Sequence, residues 1–354
     1  MIRKSTVKLV YANSGKLESL NLLMEESINV INLYIELLWV KRDFSSKFVT
    51  DKVDTWLSAR LQQCLGKQAL EIVKSQRKRK NKTMPVFKRP VINLDSRFVS
   101  FGQDSNSFDF WVTLSSLGNN LKLTLPTRKH EHFNKFSTSG WVMSKSARLR
   151  KTVQGFFLDV YFEKNSPAPD IHGAVVGIDT GYKKLAVLSN GQILGKEIED
   201  KCEKISRKRQ NSKAFKRALK ERDNYIREQI NKIDLSGVGV VVVEDLKDMR
   251  KNARKDKRLS KQFMNKFQRW TYSKFLGWLE DRCEVVGVQC RRVNPAYTSQ
   301  TCSRCGAVDK YSRKGEKFGC TSCGHTADAD MNASLNILAK FLKQEPIVPV
   351  LKPG

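Results

Sequence analysis

The spacing of apolar positions changes period several times along this chain, and each change marks an element. Residues 3–11 (RKSTVKLVY) alternate roughly and are rich in β-branched types, which predicts a strand. Over 17–40, Leu20, Leu23, Ile28, Ile31, Tyr34 and Leu38 recur at helical spacing. Residues 53–73 repeat that pattern with Leu57, Leu61, Cys64, Leu65, Leu70 and Val73. Both stripes read as core-packing faces. Residues 91–165 return to strand character in FDFWVTL, LKLTL and GFFLDVYFEK, with Gly118-Asn119-Asn120 as a turn. Short strands at this spacing predict a small barrel or sandwich, whose sheet the N-terminal strand joins, with the helices inserted between.

From Gly173 the pattern changes again. AVVGID reads as a buried strand, and KKLAVLSNGQIL as a hairpin with Asn190-Gly191 in a type I′ turn. Residues 201–232 predict one long helix. VGVVVVED follows as a strand, its consecutive valines suiting a sheet covered on both faces. An aromatic helix is expected over FMNKFQRWTYSKFLGWL; its Phe263, Phe267, Trp270, Tyr272, Phe275 and Trp278 read as core. A short helix over about 331–342 and a Pro-containing tail end the chain.

Charge changes this picture most. Lys and Arg number 65 against 36 Asp and Glu, a net charge of +29 on 354 residues. Such an excess points to a polyanionic partner, because basic side chains neutralise phosphates and release condensed counterions. The excess is clustered. Residues 74–90 (KSQRKRKNKTMPVFKRP) hold eight basic residues and no acid, 201–232 hold twelve against four, and 247–261 form a third basic stretch. The nucleic-acid-facing candidates are Arg77, Lys78, Arg79, Lys80, Lys82, Lys88 and Arg89 in the first, and Arg207, Lys208, Arg209, Lys213, Lys216 and Arg217 in the second. Hydrophobic residues at 40% and aromatics at 9% exclude a wholly disordered chain. No run of about 18 apolar residues suits a membrane span, and the N-terminus has no long apolar core of a secretory signal.

Eight cysteines are present, four of them in pairs. Cys302, Cys305, Cys320 and Cys323 form CxxC, fourteen residues, CxxC, the spacing of two knuckles that present four thiolates to one structural zinc. His325 beside the second knuckle reads as a turn residue in preference to a ligand. Cys64, Cys202, Cys283 and Cys290 are scattered, as in a reduced cytosolic protein.

Three acids stand where chemistry is expected. Asp179 ends AVVGID, Glu244 ends VGVVVVE, and Asp330 lies at a helix start in DADMNASLNIL. Carboxylates at strand ends and a helix start can meet at one sheet edge and hold divalent ions, and paired ions can hydrolyse a phosphodiester.

The ordered set GIDTGYKKLAVLSNG, VVVVEDL, NPAYTSQTCSRCG and FGCTSCGHTADADMNASLNIL resembles the TnpB proteins of insertion sequences, RNA-guided DNA endonucleases related to compact type V CRISPR effectors. The resemblance covers 173–340 and reaches weakly back through MPVFKRP and SARLRKTVQGFFLDVYFEK. It implies a multidomain α+β fold: an RNase H-like (RuvC) α/β nuclease domain with an inserted four-cysteine zinc ribbon, preceded by a wedge β-barrel that a helical recognition domain interrupts. The implied domains are 1–12 (first wedge strand), 13–83 (helical recognition insertion), 84–170 (wedge remainder), 171–290 (nuclease, first part), 291–327 (zinc ribbon), 328–345 (last nuclease motif and helix) and 346–354 (tail). It implies Asp179, Glu244 and Asp330 as catalytic acids holding Mg²⁺ or Mn²⁺, and products with 5′-phosphate and 3′-hydroxyl ends. It implies as partners an omega-type guide RNA from a transposon end and double-stranded target DNA beside a short flanking motif. A monomer, no membrane partner, and a cytoplasmic location in a bacterium or archaeon are expected. One departure stands out: where the family's last motif usually reads Asp-Arg-Asp, this chain has Asp328-Ala329-Asp330, without the basic group. The alternatives are a nuclease-inactive or weakly active RNA-guided DNA-binding regulator, a compact type V effector, a transposase working without RNA, and a plain zinc-ribbon DNA-binding protein.

Overall fold

The computed structural model describes residues 1–40, 53–80, 82–102, 107–137, 140–246 and 272–344, which separate into two compact units, 1–165 and 166–354. The 247–261 basic stretch, Phe263, Phe267, Trp270 and the tail from 346 lie outside the described residues.

The first unit begins with β1 (Ile2–Lys8), followed by helices α1 (Ser14–Val40) and α2 (Ala59–Arg77). Ser58 caps α2, its hydroxyl accepting from the Leu61 amide, and Pro85 and Pro90 follow its end. The strands are β2 (Val91–Leu94), β3 (Val99–Gly102), β4 (Phe110–Leu114), β5 (Leu123–Thr127), β6 (Val142–Thr152) and β7 (Gly155–Glu163), with the one-turn helix α3 (Glu131–Asn134) after β5. They divide into two antiparallel sheets, β1-β7-β6-β2 and β3-β4-β5. β1 does pair with β7 along its whole length, so the helices interrupt a sheet as the order of patterns predicted. The β4–β5 connection turns on Gly118, Asn119 and Asn120, all at positive φ. Gly118 is obligatory there: a Cβ would come within 2.2 Å of the Trp56 carbonyl.

One buried charge organises the β1–β7–β6 contact. Asp159 of β7 is 2% exposed and accepts from the Thr6 hydroxyl at 2.6 Å and the Arg150 guanidinium at 2.9 Å, with Lys4 at 3.6 Å. Burial alone would raise this carboxyl; the bonds from Thr6 and Arg150 and the charge of Lys4 hold it below the usual carboxylate range. Its stabilisation is therefore complete above the unfolded carboxylate pKa and is lost as pH falls through the lower folded value. Asp159→Ala is expected to destabilise the protein by about 3 kcal/mol. Asp159→Asn should flatten the acid limb of stability against pH, as chemical denaturation across a pH series would measure.

The second unit holds the five-stranded sheet β10-β9-β8-β11-β12. Its strands are β8 (Ala174–Asp179), β9 (Ala186–Leu188), β10 (Ile193–Leu194), β11 (Val238–Glu244) and β12 (Gln289–Val293). β8, β11 and β12 run parallel; β9 pairs antiparallel with β8, and β10 antiparallel with β9. Helices α4 (Ile198–Ser206), α5 (Lys213–Asn231) and α6 (Tyr272–Val286) share one core with Val241 and Val243 of β11. Val240 and Val242 point the other way, to Ile337 and Phe341 of α7 (Ala329–Gln344). The valine run is thus covered on both faces, as its composition predicted. Tyr272 and Phe275 are buried.

Two local expectations are corrected. Residues 201–232 form two helices: Asn211 adopts φ 67° and Ser212 caps α5 with its hydroxyl accepting from the Phe215 amide. In the β9–β10 hairpin Gly191 has φ 96° while Asn190 has no positive φ, so the turn is not type I′. The Gly191 amide donates to Leu188 O and the Leu188 amide to Gln192 O, the pattern of a type I turn closed by a glycine bulge.

The chain between β12 and α7 carries the cysteines on a small sheet, β13 (Arg313–Lys314), β14 (Lys317–Gly319) and β15 (Thr326–Asp328). No helix among the described residues is long and apolar enough to cross a membrane.

Candidate metal centres and the carboxylate edge

Two CxxC knuckles bring the thiols of Cys302, Cys305, Cys320 and Cys323 together. Cys302 and Cys323 sulfurs are 3.8 Å apart, and Cys305 and Cys320 3.6 Å. Sulfurs at about 2.3 Å from one tetrahedral ion stand about 3.8 Å from each other, so the set fits a single metal. The knuckles repeat each other's geometry: Gly306 and Gly324 take φ 77° and 71°, and their amides donate to the carbonyls of Cys302 and Cys320. The amide of Cys323 also points at the Cys320 sulfur and holds that thiol below its ordinary range, while the neighbouring sulfurs push the Cys305 thiol up. His325 contributes a backbone carbonyl to the Cys320 amide and lies outside the thiol group.

The three acids lie around one edge of the five-stranded sheet. β8 and β11 are parallel neighbours in the register Ile178–Val243, so Asp179 and Glu244 are the next residues at the same C-terminal edge. Asp330 enters from the first turn of α7. That helix packs unusually close to β8 because Gly177 has no side chain: a Cβ there would stand 2.3 Å from Ser334 O and 2.8 Å from Leu338 N. The glycine two residues before Asp179 thereby lets the third acid approach the first.

Electrostatics link the three. Burial raises the Asp179 carboxyl well above the usual range, and the neighbouring charges of Glu244 and Asp330 add to it; Arg313 opposes. Burial also raises Glu244, against a hydrogen bond from the Thr298 hydroxyl. Among the described residues the cysteines are the one set of three or more His, Cys, Asp or Glu with donor atoms all within 4.8 Å. The carboxylates are spread more widely, and gathering them on one ion requires side-chain rotation. The donor chemistry nonetheless fits divalent ions: three carboxylates at one sheet edge, two of them with raised pKa, where a proton or a cation relieves the repulsion on Asp179.

Several residues that the sequence did not single out complete this edge. Arg313, on the first strand of the ribbon, donates to Asp330 Oδ1 at 2.8 Å. Lys184, in the loop after β8, is 2.6 Å from Asp328 Oδ2 and 3.5 Å from Asp330 Oδ2. Asn332, fully buried, accepts from the Ser303 amide and donates to Thr301 O, and Asn336 donates to the carbonyls of Thr298 and Thr301. Ala329 is fully buried and packs with Cys302, Phe318 and Cys320. The side chain at 329 therefore belongs to the ribbon core, and the cations beside Asp330 come from positions 313 and 184. In the sequence these two are ordinary members of basic runs, and no signal distinguished them.

The basic candidates fall into two groups. Lys78, Arg79, Lys80, Lys82, Lys88 and Arg89 are exposed around the end of α2 and the segment after it. Arg77 instead turns into the fold, donating to the carbonyls of Leu38 and Trp39 with its guanidinium over the Trp39 ring. Arg207, Lys208, Arg209, Lys213, Lys216 and Arg217 are all exposed around the α4–α5 turn.

Comparison with known proteins adds identity to this geometry. The family model "Cas12f1-like, TNB domain" matches residues 272–337, from α6 through the ribbon into α7. The Cas12f1 CRISPR-associated endodeoxyribonuclease of Sulfoacidibacillus thermotolerans is 35% identical over 102 residues, 28% of this chain and 22% of that protein. Protein MJ0856.1 of Methanocaldococcus jannaschii, which carries a transposase name, is 34% identical over 84 residues, 22% of this chain and 77% of its own length. Proteins of Methanocaldococcus jannaschii and Aquifex aeolicus named TnpB-like also match. This chain spans less than two thirds of the first curated relatives it matches, 22% of the Cas12f1 protein and 56% of InsQ of Escherichia coli. In fold, a structure of a Cas12f1–sgRNA–target DNA complex superposes with a TM-score of 0.58 at 16% identity, over 89% of this chain and 81% of that one. The chain belongs to the TnpB and Cas12f1-like family.

Proposed function

We propose that this protein is an RNA-guided DNA endonuclease that cuts target DNA beside a short flanking motif. The observation that carries the reading is the carboxylate edge: Asp179 and Glu244 end two neighbouring parallel strands, Asp330 opens the helix packed on them, and the charges of Glu244 and Asp330 both bear on Asp179. We read the five-stranded sheet with α7 as a RuvC-like nuclease fold, and the strands of the first unit as a wedge region interrupted by a helical recognition insertion. The domain limits given from the sequence belong to this reading, with β12 (Gln289–Val293) counted whole in the nuclease sheet and β15 (Thr326–Asp328) whole in the ribbon.

Asp179, Glu244 and Asp330 would hold Mg²⁺ or Mn²⁺. Bound there, such ions activate water and stabilise the leaving oxygen of a phosphodiester. Thr298 orients the Glu244 carboxylate, and Arg313 fixes Asp330 while its remaining guanidinium face carries positive charge to an incoming phosphate. The four thiolates would hold a structural zinc. With four sulfur ligands that centre is closed to water, so its role is to hold the ribbon that carries Arg313. The exposed basic residues around 78–89 and 207–217 would follow the backbones of guide RNA and target, while base pairing selects the sequence. The partners in this reading are one omega-type guide RNA from a transposon end and double-stranded DNA, bound by a monomer in the cytoplasm of a bacterium or archaeon. A compact CRISPR effector is the second reading, favoured by the similarity to Cas12f1.

Sequencing the RNA that co-purifies with the protein tests the guide and separates the two. A single RNA ending in sequence from a transposon end supports the first reading, a CRISPR repeat the second, and absence of any defined RNA removes both.

A pH dependence follows from the acids. Because Asp179 and Glu244 have raised pKa values, protons compete with the metal at low pH. Cleavage at fixed, limiting Mg²⁺ should rise with pH, and more Mg²⁺ should move that rise to lower pH. A pH profile identical at low and high Mg²⁺ contradicts this.

A further inference from the structure

Lys184 occupies a position that its sequence context does not explain. It lies five residues after Asp179, and its backbone carbonyl accepts from the Gly181 amide at 3.1 Å, closing the turn into which the first acid's strand runs. Its side chain, 14% exposed, extends to the other end of the site, 2.6 Å from Asp328 and 3.5 Å from Asp330. Asp328 in turn caps α7: its Oδ1 accepts from the amides of Asp330 and Met331, and its Oδ2 faces the lysine. One residue thus joins the turn after Asp179, through its backbone, to the helix start that carries Asp330, through its side chain.

We propose that Lys184 is a positioning residue that registers Asp330 against Asp179, so that the two carboxylates can share a divalent cation. The inference rests on the metal-centre reading above. The lysine does not itself ligate. Its ammonium ties Asp328, and Asp328 fixes the first turn of α7, where the capping amides belong to Asp330 and its neighbour. A pair this well enclosed on the lysine side is screened less than a surface ion pair, and it spans 144 residues of sequence, so it constrains two otherwise separate elements. Residue 329 is directed into the ribbon core. Among the described residues, the cation in contact with both Asp328 and Asp330 is Lys184.

The test is Mn²⁺ binding by calorimetry to the full chain freed of nucleic acid, with melting temperature followed in parallel. Lys184→Met should weaken Mn²⁺ binding about tenfold while the melting temperature stays near wild type, and Lys184→Arg should restore most of the affinity. Asp328→Asn keeps the capping oxygen but removes the charge the lysine holds, so it should lose affinity similarly. The double variant should lose no more than either single one. If the lysine merely competed with the ion for Asp330, Lys184→Met would bind Mn²⁺ more tightly; that result, or unchanged affinity, overturns the proposal. Should Lys184→Met fail to fold, Asp328→Asn alone decides, with wild-type affinity counting against the role. Failure of the metal-centre reading looks different: Asp179→Ala would then bind Mn²⁺ as the unaltered chain does.

Discussion

Asp179→Ala is expected to reduce cleavage of guide-matched DNA by about 10³-fold or more while leaving guided DNA binding within about twofold. Among the acids, the electrostatic influence of both other carboxylates converges on Asp179, and Arg313 acts on it as well. In the proposed function, removing it takes away an oxygen at the end of β8 that would hold the divalent ion. The exposed basic residues around 78–89 and 207–217 and the Arg313 guanidinium are all kept in this variant, so affinity for RNA and DNA should survive. Cleavage assays paired with gel-shift titrations would show the split. Comparable loss of binding would mean that Asp179 supports the fold, and cleavage at the unaltered rate would remove the site assignment.

The second large effect is expected at the ribbon. Cys302→Ser removes one of four cysteines whose sulfurs are already spaced for a single ion. Metal analysis should fall from about one zinc per chain to well below it. Structural zinc in small domains contributes apparent free energies of about 10 kcal/mol or more, and a ribbon of three very short strands has little core of its own: Cys302, Phe318, Cys320 and Ala329. The loss should also reach the acids. Arg313 reaches Asp330 from the ribbon, the Ser303 amide is held by Asn332 of α7, and the Ala329 amide donates to Glu316 of the ribbon. Cleavage should therefore fall steeply in the same variant although no carboxylate has changed. Full zinc content in Cys302→Ser would contradict the assignment of that ligand.

How much of this was legible in the sequence depended on how local the physical signal is. The CxxC pairs were legible because two intervening residues suffice to build a knuckle. The valines of β11 announced a strand buried on both faces because no solvent-facing alternation interrupted them. The acids were legible by position, at the ends of apolar runs and at a helix start. The break between α4 and α5 was written in Asn211-Ser212, a positive-φ residue followed by a helix cap, but the helical periodicity on either side masked it. Residues whose meaning comes from distant partners were not legible. Lys184 meets Asp328 across 144 positions, and Thr298 meets Glu244 across 54. In a chain with 65 basic residues, nothing local separates Lys184 or Arg313 from the lysines and arginines beside them. The same holds for Ala329, which looked like a missing catalytic cation and is a small residue filling the ribbon core. Gly177 is intermediate: its place before Asp179 was visible, but the approach of α7 that requires it was not.

Cutting of RNA-chosen DNA at the carboxylate edge is the step on which the proposed function stands. Its most direct test is incubation of the purified protein–RNA complex with Mg²⁺ and a plasmid carrying a guide-matched sequence beside a randomised flank. Matched plasmids bearing one short flanking motif should be cut, and cutting should be lost with EDTA, with ribonuclease treatment before target addition, and with Asp179→Ala. Plasmids that are bound in a guide-dependent way but remain intact across every flank would contradict it.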